Sequence, residues 1–328
     1  MNDDSRPEAG RFIRPVDLDN EQRSTLGAKI GWSLEAFAWD WVYWNPMAAL
    51  SLEAASNTVS RILKTIGPAT SQHRSMIRNL RMAFPDWSEK QVEECAKGAW
   101  ENLGRLAGEM PHLAKMKPYV RDSRIEVVGA ERLDTIRASK KPVVFVTGHF
   151  ANWEVMASAI CNRPLDCQIT YRAANNPYID RRIAKARHAY GIQVLTPKGA
   201  GTRELMRALG RGQSIALLND QKFNQGLAVP FFGHDAMTAP GPTRLAMKFK
   251  APLLPISCKR LGPARYRVTF HEPLMPDADP DEEKAIYNTV LLINRFTEAV
   301  IREAPDQWFW MHNRWPKDAW AKAGVMER

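Results

Sequence analysis

The residues best equipped for chemistry are His149 and Glu154, five positions apart in the stretch GHFANWE over 148–154. An imidazole whose second nitrogen is held by a carboxylate has a fixed tautomer and a raised basicity. Such a pair can take a proton from a hydroxyl as a general base. A turn followed by the first turn of a helix can fold the Glu154 carboxylate back toward the ring, and the helix dipole favours an acid at that end. The alternative is a loop histidine beside a solvated helix-start acid. With seven histidines and 36 acidic residues in 328, the bare spacing is not specific, so the elements around it must decide.

Those elements favour chemistry. Val143, Val144, Phe145 and Val146 form an apolar run with no polar alternation, which suits a strand covered on both faces. Pro142 sits at its start, where a missing N–H does little harm. Gly148 breaks the run, Asn152 is a good helix cap, and 153–160 reads as a helix. His149 is thus offered at the C-terminal end of a strand, where open α/β sheets hold their ligands.

Further candidates stand at comparable places. Arg187 lies beside the apolar stripe of a helix over 178–190 and could hold a phosphate or stabilise an oxyanion, or simply snorkel past core residues. Arg172 closes the strand over 166–171 and is either an anion contact or half of a structural ion pair. SIALLND over 214–220 delivers Asp220 to the sheet edge, to orient another group or to cap its loop. In AVPFFGHDAMTAPG, Phe231, Phe232 and Met237 could line a slot for a hydrocarbon chain, or pack a core. The tail QWFWMHNRW suits a membrane-facing lip or a domain closure. Arg74, Arg78 and Arg81 share one helical face, solvated or turned to anionic headgroups.

At 45% hydrophobic residues the chain can bury a sizeable core, in one large domain or two small ones. Net charge is +10, which favours an acidic partner: nucleic acid, an anionic membrane, or an acidic protein or substrate. Cys95, Cys161, Cys167 and Cys258 make no CxxC pair, so reduced thiols are expected, without zinc or disulfides. No P-loop, dinucleotide glycine motif, GxSxG elbow or metal set is present. The N-terminus carries no signal pattern, and there is no uncharged apolar run near 20 residues, so neither export nor a clean transmembrane helix is expected.

Residues 1–24 read as a polar, loosely ordered tail. Residues 25–120 read as an all-helical region, with helices over 51–66, 71–84 and from a capping box at Ser88 and Gln91 to about 110. Its opening stretch holds Trp32, Trp39, Trp41 and Trp44, with Ile30, Leu34 and Phe37 at helical spacing. This predicts a helix lying in a membrane surface, the alternative being packing on the protein's own core. Residues 121–328 read as an α/β domain with a largely parallel or mixed central sheet flanked by helices. Strands are predicted over 124–128, 143–147, 166–171, 193–195, 214–218, 253–258 and 266–271. Helices are predicted over 153–160, 178–190, 201–209, 240–250 and 281–303.

With these pieces in place, the chain resembles the lipid A biosynthesis acyltransferases, the lauroyl and myristoyl transferases of Gram-negative bacteria, over roughly 25–318. GHFANWE, YRAANNP (171–177), Arg187 with Gly191, LLNDQ (217–221), PFFG (230–233) and QWFWMHNRW carry the resemblance. Together they are more specific than His-x4-acid, which glycerolipid acyltransferases share. The resemblance implies a glycerolipid-acyltransferase-like fold on the cytoplasmic face of the inner membrane. The implied reaction moves an acyl group from acyl carrier protein to a hydroxyl of a Kdo-bearing lipid A precursor. Acyl carrier protein, the lipid A precursor and an anionic membrane are the implied partners; nucleic acid, a metal and a further cofactor are not. By the same likeness His149 is the base and Glu154 its orienter, with Arg187 and Asp220 in the site. Asn152, Arg172, Phe231 and Phe232 are the expected substrate contacts. An acyltransferase acting on lysophospholipids, and a non-enzymatic membrane-surface binding protein, are the competing readings. One departure is that Glu35 and Asp40 interrupt the segment where many family members carry a membrane span.

Overall fold

The computed structural model describes residues 25–192, 195–197 and 201–325. The predicted polar tail and the first two residues of the strand expected over 193–195 lie outside them. The chain opens with helices α1 (Leu26–Trp39), α2 (Asn45–Ala49), α3 (Leu52–Ile66), α4 (Ser71–Ala83) and α5 (Glu89–Glu109), with one wide helical turn at Asp40–Trp44 joining α1 to α2. Strands and helices then alternate: β1 (Ile125–Val128), α6 (Glu131–Ser139), β2 (Val144–Thr147), α7 (Trp153–Cys161), β3 (Cys167–Tyr171), α8 (Pro177–Ala189), β4 (Leu195–Pro197), α9 (Gly201–Gly210) and β5 (Ser214–Leu218). A hairpin of β6 (Leu227–Phe231) and β7 (His234–Thr238) leads to α10 (Gly241–Phe249), β8 (Leu253–Gly262), β9 (Arg265–Phe270), α11 (Glu282–Glu303) and α12 (Lys317–Lys322).

Seven strands form one sheet in the order β1-β9-β8-β2-β5-β3-β4. Only β8 and β9 pair antiparallel; every other neighbour is parallel, as alternating strands and helices require. This is the mixed, mostly parallel sheet that the sequence predicts. β2 sits near its middle, and Val144, Phe145 and Val146 are fully buried. Successive side chains point to opposite faces. Val144 and Val146 therefore join Leu245, Leu253 and Ile293 under α10 and α11, while Phe145 joins the larger cluster on the α7 side.

The N-terminal helices pack on that larger cluster. The capping box predicted at Ser88 and Gln91 opens α5. Gly104 and Gly108 of α5 lie against the α3 backbone, where an added Cβ would sit 2.5 Å from Ser60 Cα and 2.3 Å from the Ala55 carbonyl oxygen. This close crossing brings Glu109, at the end of α5, within hydrogen-bond reach of Ser56. Of the basic face on α4, Arg78 stacks on Trp320 and donates to Asn313, and Arg81 pairs with Glu89, so these two fold back on the protein.

The helix predicted across 25–50 runs on through its wide turn to Ala49, and its apolar stripe stays uncovered. Leu26, Ile30, Leu34, Phe37 and Trp41 are all more than half exposed. Glu35 and Asp40 face the other way, onto α8: Asn176 donates to the Glu35 carboxylate over 3.0 Å, and Arg182 pairs with Asp40. Among the described residues no helix is long and apolar enough to cross a membrane.

Candidate active site

The register of the sheet builds the site. Thr147 of β2 aligns with Leu218 of β5, so the residues two further along, His149 and Asp220, emerge side by side at the C-terminal edge. Asp220 Oδ1 is 2.7 Å from His149 Nδ1, and Asp220 Oδ2 accepts from the His149 backbone N–H over 2.7 Å. The Trp308 indole donates to the same Oδ2 over 2.7 Å. Burial alone would push the Asp220 carboxyl up; the facing histidine, its hydrogen bonds and the indole outweigh this and hold it down to about 2. The carboxylate therefore stays ionised. The stability its pairing contributes is complete above the ordinary aspartate range and is lost only as pH falls through about 2.

A carboxylate at Nδ1 keeps the ring proton there and leaves the Nε2 lone pair outward. Nε2 faces the cleft, with the Gln221 amide nitrogen 3.4 Å away. Trp153 and Phe309 pack around the ring, at centroid distances of 5.1 and 5.9 Å.

Glu154 is not the group that holds His149. Its carboxylate receives two bonds from Arg187, Nε to Oε2 at 2.8 Å and Nη2 to Oε1 at 2.6 Å. This fork-to-fork pair saturates the face of the carboxylate. Burial works against the Arg187 charge, and Glu154 more than offsets it. The reason lies in the turn. Asn152 caps α7 by accepting from the Glu154 N–H, so Glu154 leaves along the helix toward α8, while the ring turns toward the neighbouring strand.

His149, Glu154, Arg172 and Arg187 share the mouth of one cleft of about 300 Å³, and Asp220 stands behind the histidine. Arg172 is exposed, lines the cleft and makes no hydrogen bond or ion pair among the described residues. Below the mouth the cleft is apolar, running between α7 and the strands, past Met156, Ala157 and Ile169.

Three expected substrate contacts lie elsewhere. Asn152 is fully buried, and its amide donates to Glu109 over 3.0 Å, away from the cleft. Phe231 and Phe232 are core residues. Phe231 pairs with His234, which makes Phe232 and Gly233 the two turn residues of the hairpin, with φ of 48° and 76°. Such tight turns require positive φ at both central positions. Phe231 then packs on Trp308 and Trp315, and Phe232 on Phe84, so PFFG is a turn and a wedge rather than a hydrocarbon slot. Met237 sits beside them on β7, where its carbonyl receives the buried Arg314.

Residue-by-residue reading of the sequence missed the support of the turn that carries His149. Ala151 takes φ of 44°, unfavourable for a residue with a Cβ. Its N–H donates to the Gln307 carbonyl, and its own carbonyl accepts from Asn102. Phe150 bridges to Trp308, so the tail is a closure over the site. Behind it Glu109 is fully buried and receives Arg260, Ser56, Asn152 and Tyr266. These partners lie tens to hundreds of residues apart, and no local pattern marks them.

The chain is 22% identical over 311 residues to a lipid A biosynthesis acyltransferase of Haemophilus influenzae, covering 89% of this chain and 95% of that protein. It is 27% identical to the lipid A biosynthesis lauroyltransferase of Escherichia coli K12, covering 72% and 76% of the two chains. A phosphatidylinositol mannoside acyltransferase of Mycobacterium tuberculosis is 23% identical, with 87% and 91% covered. Residues 27–317 match the family described as bacterial lipid A biosynthesis acyltransferase, and the chain belongs to that family.

Proposed function

We propose that the protein transfers a fatty acyl group from an acyl carrier protein thioester to a hydroxyl of a Kdo-bearing lipid A precursor. One observation carries this reading: a carboxylate-backed histidine turns its Nε2 toward the mouth of an apolar cleft. The acceptor hydroxyl oxygen attacks the thioester carbonyl as His149 Nε2 takes its proton. The C–O bond forms, and the oxyanion lies beside the guanidinium groups of Arg187 and Arg172. Arg187 keeps Nη1 unspent by its bonds to Glu154. Collapse breaks the C–S bond, and the imidazolium returns its proton to the departing thiolate. The acyl chain occupies the apolar part of the cleft, and the chain's net charge of +10 suits an acidic carrier protein and a phosphorylated acceptor.

The test offers acyl carrier protein thioesters to a Kdo-lipid A precursor and, separately, to lysophosphatidic acid. Transfer to the first acceptor, lost in His149→Ala, is the expected result. Transfer only to lysophosphatidic acid would move the protein to glycerolipid acylation. Transfer to neither would overturn the catalytic reading in favour of a membrane-surface binding protein.

The same reading places the enzyme on the cytoplasmic face of the inner membrane, lying on the bilayer through the exposed stripe of α1. A single row of large apolar side chains, with the acidic residues turned onto α8, suits a helix lying in the interface. Burying one such side chain is worth about 1.5–3 kcal/mol. The double change Leu34→Asp and Phe37→Asp is therefore expected to weaken binding to anionic vesicles about 100-fold or more. Unchanged co-flotation of that variant would remove α1 as the attachment.

A further inference from the structure

The cleft has a floor, and its residues are identifiable. Along α7 the lining comes from Glu154, then Ala157, then Ile160, one step per helical turn. Six residues at the helical rise set Ile160 about 9 Å below Glu154. On the sheet side the lining descends from Tyr171 to Ile169, about 7 Å along β3. Ile160 and Ile192 are each only 2% exposed and close the end remote from His149.

The floor is held from two sides. The Tyr190 carbonyl receives Ser158 Oγ and Asn162 Nδ2, both at 3.0 Å, which ties the segment after α8 to the last turn of α7. Gly191 adopts φ of 103°, and an added Cβ there would lie 2.4 Å from the Asn162 amide nitrogen. Only glycine lets the chain turn under α7 at this point. The Ile192 N–H then donates to the Arg187 carbonyl over 3.0 Å. Arg187 at the mouth and Ile192 at the floor are thus fixed by one short turn, which gives the Arg187 and Gly191 spacing a physical meaning.

We propose that Ile160 and Ile192 are the residues against which the methyl end of the donor acyl chain stops, so that they set its length. This rests on the acyl-slot reading of the cleft given above. A packed apolar wall discriminates one methylene more or less by about 10–200-fold. Trimming the floor should admit a longer chain, and filling the slot midway should demand a shorter one.

The experiment measures kcat/KM for acyl carrier protein thioesters from ten to eighteen carbons, with the Kdo-lipid A precursor as acceptor. Ile160→Ala and Ile192→Ala are expected to raise the ratio for a donor two carbons longer than the preferred one by about 10-fold or more. Ala157→Leu, which fills the slot without trimming the core, is expected to move the preference to shorter donors by a similar factor. Melting curves check that each variant is folded. An active wild type whose chain-length profile is unmoved in all three folded variants overturns the floor. Silence of the wild type with every donor overturns the acyl-slot reading itself, and the floor with it.

Discussion

Replacing His149 with alanine is expected to lower kcat for acyl transfer by about 10²–10⁴-fold, with little change in melting temperature. The ring sits at the cleft mouth, so its loss removes the proton acceptor without opening the core. Asp220→Asn should cost a comparable factor by another route. An amide can donate to Nδ1, which moves the ring proton to Nε2 and abolishes the base; such an exchange behind a catalytic histidine can cost about 10⁴-fold. Because the two act as one unit, Asp220→Asn placed on His149→Ala should cost almost nothing further. Glu154→Gln should behave differently. It loosens the Arg187 fork, so its effect should multiply with that of His149→Ala. A full double-mutant cycle on kcat separates the two carboxylates. A non-additive Glu154 with an additive Asp220 would reverse their assignment.

The second large effect is on stability. Glu109 is fully buried and its carboxylate accepts from Arg260 at 2.6 Å, Ser56 at 2.9 Å and Asn152 at 3.0 Å, with Tyr266 as a further donor. Burial holds the Tyr266 phenol well above its usual range, so it remains a donor. Removing the acid leaves the Arg260 guanidinium buried without its carboxylate. Breaking a buried pair in this way costs about 3–5 kcal/mol. Glu109→Ala is therefore expected to lower the melting temperature by about 10 °C. Glu94 of the same helix pairs with Lys90 across 3.9 Å in solvent, and Glu94→Ala should change stability by less than about 0.5 kcal/mol. Equal melting temperatures for the two variants would defeat the account. Since Glu109 also holds Asn152, the cap of α7, its loss should reach the turn that carries His149 as well.

The pieces that depend on neighbours in the chain were legible from residue order alone. The uninterrupted run from Val143 to Val146 had to be a covered strand, and Gly148 with Asn152 had to end it and start a helix. Those facts alone set His149 at a strand's C-terminal edge, and the same local logic carried Asp220 to the edge after β5. The alternation of strands and helices fixed a mostly parallel sheet, and the apolar spacing of Ile30, Leu34 and Phe37 marked α1 as a helix with an apolar face. Register and packing settled the rest. Whether Glu154 or Asp220 meets the ring turns on which strand lies beside β2, and no spacing along the chain carries that information. Phe231 and Phe232 look the same in sequence whether they line a slot or wedge a core; the hairpin register made Phe232 a turn residue and sent both inward. Glu109 and Arg260 are 151 positions apart, and only the close crossing of α3 and α5 brings the acid where it can support the turn that carries His149. Local propensity acts over a few residues, whereas these partners are chosen by the packing of whole elements, and there the division between sequence and structure falls.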